Sequence, residues 1–312
     1  MKRDKILFQS KILPRRSAMM AAVAACVLSS TAMAQSFSTP LPTPSSPTAI
    51  LPGGIIPAGQ GQVMLNAVFS VGNLPIRSGL SWRVVTEKAE GGGQVVMRSS
   101  EASPVFALDA GNYIIHAAYG YASGMRRITV QPGRSLNERV VISAGALKLA
   151  GTVGDQAIPP GRIAFSVYVP LPGNSEGRLV VANAKPGDLI RLPEGAYHVV
   201  STYGDANAIQ RADIKVETSK VTEATLHHRA ARVTLKLVAQ NGGEAFAGTA
   251  FSVLTPGGDV IREAIGAFPQ VILAEGNYVL IARQEGSLFT REFKVETGLD
   301  RDIEVLAKAI PK

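Results

Sequence analysis

The chain has 312 residues, 46% of them hydrophobic and 18% charged, with a formal net charge of +8. That length allows two or three domains, and the composition excludes global disorder. Residues 1–34 hold six basic groups and one acid, so they supply +5 of the +8 and leave about +3 for the rest; a nucleic-acid partner is set aside on that ground.

The first predicted element is an export leader over residues 1–34. Lys2, Arg3, Lys5, Lys11, Arg15 and Arg16 make a basic end, Ser17 to Ala34 is uncharged, and the run closes on Ala32-Met33-Ala34 before Gln35, the pattern of a signal-peptidase site. Two other readings stay open. Val23-Ala24-Ala25 before Cys26 loosely matches a lipoprotein box, and the uncharged run lies at the lower limit for an uncleaved anchor. Arg15-Arg16, flanked by Pro14 and Ala18-Met19, fits a twin-arginine signal poorly. Cys26 is the only cysteine, so cleavage after Ala34 leaves no disulfide and no thiolate site. The expected location is periplasmic or secreted, or lipid-anchored through Cys26. Residues 35–60 follow as a Pro-rich linker, with prolines at 40, 42, 44, 47, 52 and 57 favouring extended backbone.

Three similar units come next, predicted over 61–144, 145–229 and 230–312. Each opens on an alternating strand, at Val63–Ala67, Leu147–Leu149 and Val233–Leu237. A glycine and an aromatic follow, Gly79 with Trp82, Gly161 with Phe165 and Gly248 with Phe251, and these aromatics read as core. Turn-rich stretches come next at Gly91-Gly92-Gly93, Pro172-Gly173-Asn174 and Pro256-Gly257-Gly258. Then a phrase recurs: Leu108-Asp-Ala-Gly-Asn-Tyr113, Leu192-Pro-Glu-Gly-Ala-Tyr197 and Leu273-Ala-Glu-Gly-Asn-Tyr278. The leucine ends one strand, the glycine is expected to adopt a turn conformation that a Cβ would oppose, and the tyrosine opens a central strand as a core anchor. Two further strands close each unit, around Ile128–Val130 and Val140–Ile142 in the first. Nothing after the leader sustains helical periodicity for ten residues. The fold class is all-β: three tandem Ig-like or prealbumin-like β-sandwiches behind a signal peptide and linker.

The Leu-Pro-Glu-Gly-x-Tyr word with alternating apolar residues after it resembles the repeat of carboxypeptidase-regulatory-like, transthyretin-like and PEGA-type β-sandwiches. The likeness is clearest over 192–203 and 273–282, and the first unit departs from it at Asp109-Ala110. It implies a fold, and modules that mediate contacts at a cell envelope; no functional residue carries over.

Catalytic and metal chemistry find few candidates. His116 and His198 lie in separate units, and the neighbours His227 and His228 point to opposite faces of a strand, whereas a metal site needs three or four converging ligands. No nucleophile elbow or phosphate-binding loop is present. The recurrent Glu194 and Glu275, and Glu217 and Glu296, read as solvated turn residues, because an enzyme site is built once and not per repeat. No catalytic, cofactor-binding or metal-binding residue is assigned, no cofactor is expected, and the protein is read as non-enzymatic. Arg126, Arg211 and Arg291 recur near the start of the penultimate strand. They mark an exposed edge that discourages edge-to-edge pairing, or a repeated surface for an anionic envelope polymer. The reading is an exported envelope protein acting through protein or surface contacts, with polysaccharide or peptidoglycan binding as the alternative; the partner is an envelope protein or a cell-wall polymer.

Overall fold

The computed structural model describes residues 57–88 and 93–307, with the backbone alone at 175 and 176. The predicted leader with Cys26, the Pro-rich segment up to residue 56, and Gly91 and Gly92 lie outside the described residues.

The first sandwich consists of β1 (Gln60–Phe69), β2 (Leu80–Thr86), β3 (Val95–Ser99), β4 (Val105–Asp109), β5 (Gly111–Tyr119), β6 (Ala122–Val130) and β7 (Ser135–Ile142). The second has β8 (Ala144–Val153), a two-residue β9 (Gln156–Ala157), β10 (Ile163–Leu171), β11 (Asn174–Ala184), β12 (Leu189–Pro193), β13 (Gly195–Tyr203), β14 (Ile209–Val216) and β15 (Val221–His228). The third has β16 (Ala230–Val238), β17 (Ala250–Leu254), β18 (Val260–Ile265), β19 (Gln270–Ala274), β20 (Gly276–Gln284), β21 (Ser287–Val295) and β22 (Arg301–Leu306).

One topology recurs three times. A three-stranded sheet, β4-β1-β7, faces a four-stranded sheet, β3-β2-β5-β6; the second and third units repeat this as β12-β8-β15, to which the short β9 adds on β8, with β11-β10-β13-β14, and β19-β16-β22 with β18-β17-β20-β21. The period of two in the sequence sorts residues between core and solvent. In β2, Leu80, Trp82 and Val84 are buried while Ser81 and Arg83 are exposed. Each core is centred on one aromatic, Trp82, Phe165 or Phe251, and draws side chains from both sheets. Trp82 also donates its indole N–H to the Glu101 carbonyl at 2.9 Å, so its one polar atom is satisfied.

The first and last strands of each unit pair in parallel: β1 with β7, β8 with β15, and β16 with β22. The other pairings are antiparallel. The tyrosine-bearing strands β5, β13 and β20 sit inside their sheets, which accounts for their apolar character on both faces. Leu108 and Tyr113 belong to different sheets, because β4 lies in the three-stranded sheet and β5 in the four-stranded one. The repeated phrase is therefore a corner where the chain crosses the sandwich.

Candidate functional site

Each corner is closed by its tyrosine. The hydroxyl donates back to the carbonyl four residues earlier: Tyr113 to Asp109 at 3.0 Å, Tyr197 to Pro193 at 2.8 Å and Tyr278 to Ala274 at 2.8 Å. Burial pushes all three phenols above their usual pKa of 10. The expected role of the glycine is corrected here. Gly111 and Gly195 do not adopt positive φ, and Gly276 at +159° is close to fully extended. A Cβ at Gly111 would sit 3.7 Å from the Tyr113 ring, an ordinary contact.

The glutamates of the phrase are tied into structure. Glu194 accepts from the Thr218 hydroxyl at 2.7 Å, and Glu275 accepts from Thr297 at 2.7 Å and from Arg229 at 2.9 Å. The Thr297 hydroxyl, and then the Arg229 guanidinium, hold the Glu275 carboxyl below the usual range. In the first sandwich both partners are missing together, with Ala110 and Pro132 at the equivalent positions. Glu217 has its pKa lowered by its bond to Lys220 at 2.6 Å.

The three candidate arginines do lie on edge strands, β6, β14 and β21. They do not make one repeated surface. Arg126 pairs with Ile115, two residues after Tyr113, and Arg291 with Leu280, two residues after Tyr278. Arg211 pairs with Val200, three residues after Tyr197. A shift of one residue turns a side chain to the other face of a sheet. Arg126 is held by Glu138 at 2.8 Å and Arg291 donates to the Glu304 carbonyl, while Arg211 has neither kind of partner among the described residues.

The histidines are dispersed. His198 bonds Asp213 at 2.8 Å and His227 bonds Thr152 at 2.7 Å, both across neighbouring strands. His228 is buried, with its Nε2 2.7 Å from the buried Ser201 hydroxyl and a further hydrogen bond to the Ala208 backbone. Desolvation lowers its pKa. The equivalent positions are Ala117 and Ile142 in the first sandwich, so two neighbouring core residues have become polar together. Among the described residues no group of three or more His, Cys, Asp or Glu converges as metal ligands.

Successive sandwiches meet through the same parts. The β5–β6 turn of the first packs on β12 of the second: Tyr121 N–H donates to the Arg191 carbonyl at 3.0 Å, and the Arg191 guanidinium lies 5.0 Å over the Tyr119 ring. The β13–β14 turn of the second packs on β19 of the third, where Ile272 stands in the place of Arg191. Asn207 in that turn enters the next corner. It donates to the Tyr278 hydroxyl at 2.8 Å and accepts from Ala274 N–H at 3.0 Å. Asp205 is ion-paired to Arg262. At this second junction lies a cleft of about 680 Å³. Of the residues lining it Gly161 belongs to a recurrent feature of the sequence, but its basic residues and Asn207 could have been singled out only by a strand-by-strand alignment of the three units.

One family model matches the chain, that of the Rhizobiales growth-associated tandem repeat domain, over residues 232–307. These are residues of the third sandwich. No curated protein matches. Similar solved structures include the Bacillus anthracis TIE protein, with 15% identity and a TM-score of 0.24 over 80% of this chain and 51% of that one. This chain thus spans about half the length of the TIE protein. Others are the Streptococcal ancillary pilin, with 12% identity and a TM-score of 0.29 over 80% of this chain and 99% of that one. BcpA, the major pilin subunit of Bacillus cereus, has 11% identity and a TM-score of 0.23 over 80% and 100%. Likeness at this level does not extend to function.

Proposed function

We propose that this is an exported, non-enzymatic protein of the cell envelope whose three sandwiches serve as contact surfaces for other envelope components. The observation that carries the reading is how the recurrent polar groups are used. The corner tyrosines are bound into the fold in all three sandwiches, and Glu194 with Thr218 and Glu275 with Thr297 in the second and third, as scaffold positions are. The leader pattern of residues 1–34 supports export, and the third sandwich is similar to a repeat domain described as growth-associated. The resemblance of 192–203 and 273–282 to carboxypeptidase-regulatory-like, transthyretin-like and PEGA-type repeats supports the same reading.

The test is fractionation of cells producing the full chain, followed by sedimentation of the purified protein with isolated envelopes. Export and saturable co-sedimentation are expected. A cytoplasmic chain, or one that stays in the supernatant, would overturn the reading. The triple variant Arg126→Ala, Arg211→Ala, Arg291→Ala is expected to retain binding, since Arg211 lies on the other face from its two counterparts and those two are held within their own sandwiches.

A further inference from the structure

The cleft between the second and third sandwiches differs from the first junction in a consistent way. At the first junction the Arg191 side chain fills the space. A Cβ on Gly79 would lie 2.8 Å from its guanidinium carbon, and one on Gly120 would lie 2.6 Å from its Cβ. At the second junction the filler is the shorter Ile272, and three small or neutral positions have become basic. The residue before the strand position paired with the turn tyrosine is Gly79 in the first sandwich and Arg162 in the second. The residue after the partner of the core aromatic is Ser100 in one and Lys185 in the other. The cross-strand partner of the filler is Ala146 for Arg191 and Arg232 for Ile272.

Arg162, Lys185 and Arg232 all line the cleft. Arg232 is ion-paired to Asp300 at 2.9 Å, and the one lining carboxylate, Asp205, is taken by Arg262. Arg162 and Lys185 have no ion-pair partner among the described residues. Two cations left unneutralised beside an open cleft favour an anionic guest. The rest of the wall supplies hydroxyl and amide groups from Ser166, Asn183, Thr202 and Gln270, and no aromatic ring. Such a lining suits a ligand that carries many hydroxyls along with its negative charge, and offers no stacking platform for a neutral sugar.

We infer that this cleft binds a carboxylated oligosaccharide, with Arg162 and Lys185 on its carboxylates and the neutral side chains on its hydroxyls. The inference stands apart from the contact reading above, since envelope sedimentation can succeed or fail whatever this cleft binds. Titration calorimetry of the purified full chain would use oligogalacturonate, a neutral oligosaccharide of equal length, and polyphosphate. Oligogalacturonate is expected to bind saturably and more weakly as salt rises, the neutral sugar not at all, and polyphosphate less well. The double variant Arg162→Gly, Lys185→Ser, which installs the residues of the first junction, is expected to weaken binding by roughly tenfold or more. Arg98→Ser with Arg139→Ser, removing two exposed charges elsewhere, is expected to leave it unchanged. Filling the cleft with Ile272→Arg in the Arg162→Gly background should also abolish binding, which covers a double variant that fails to fold. Absent binding of oligogalacturonate, equal binding by the cleft variants, equal loss in the control pair, or a preference for polyphosphate would each overturn the inference.

Discussion

Ser219 is a serine where its two counterparts are glycines. It follows β14 with φ at +63°, and the equivalent residues after β6 and β21 are Gly133 at +68° and Gly298 at +74°. A side chain in the left-handed region costs about 1–2 kcal/mol, part of which is offset by the extra freedom glycine has when unfolded. Ser219→Gly is therefore expected to stabilise the second sandwich by roughly 0.5–1 kcal/mol, read as a higher urea midpoint. His228 contributes to the same sandwich's response to mild acid. Its folded pKa lies below the usual 6.5, with desolvation as the main cause. Below about pH 6.5 the unfolded chain takes up a proton that the folded one refuses, so stability should fall with pH until the folded state protonates as well. Replacing the pair by that of the first sandwich, Ser201→Ala with His228→Ile, should remove this component. An unfolding midpoint that keeps the same slope between pH 7 and 5 in the variant would refute the assignment.

At the scale of strands and turns, the glycines of the repeated phrase and those of the junction turns exchange their expected importance. Gly195 has no left-handed backbone, and an added Cβ would come no closer than 3.9 Å to the Tyr197 ring. Gly204, in the turn after β13, has φ at +74°, and its Cβ would lie 2.8 Å from Ile272 Cβ. Gly195→Ala should change stability by less than about 1 kcal/mol. Gly204→Ala should loosen the second junction, seen as faster amide exchange at Ala274, whose N–H is held by Asn207. The third sandwich departs from the other two at this turn. Glu285 occupies the position of Gly120 and Gly204 with φ at +48°, and Gln284, in place of Tyr119 and Tyr203, turns back to the Thr249 hydroxyl at 2.8 Å. Gln284 thus finds its partner within its own sandwich.

Across the whole molecule, what was legible in the sequence follows the period of two. The strands, the three core aromatics and the corner tyrosines could be read because a strand residue's face depends on local alternation alone. Arg211 could not be placed by a loose alignment: β13 and β14 pair in the same register as their counterparts, but Arg211 stands five residues before Val216, where Arg126 and Arg291 stand four before Val130 and Val295. The cleft could not be placed either. It exists through contacts between Arg162, Lys185 and Arg232, which are up to 70 residues apart in sequence. The parallel pairing that closes each sandwich bears on how the chain would carry load. When two parallel strands are the entry and exit of a domain, tension along the chain pulls them in opposite directions along their own axes. The backbone hydrogen bonds between them then resist together in shear, and do not open one at a time. The paired register covers eight residue pairs in the first sandwich, eight in the second and six in the third. Stretched singly by its ends, the chain is expected to give three separate rupture events with the third sandwich yielding at the lowest force; one cooperative rupture, or a first sandwich that yields before the others, would contradict it. Each sandwich is then a clasp fastened by its own two ends, and a protein strung from three of them could yield in stages and refasten when the pull is released.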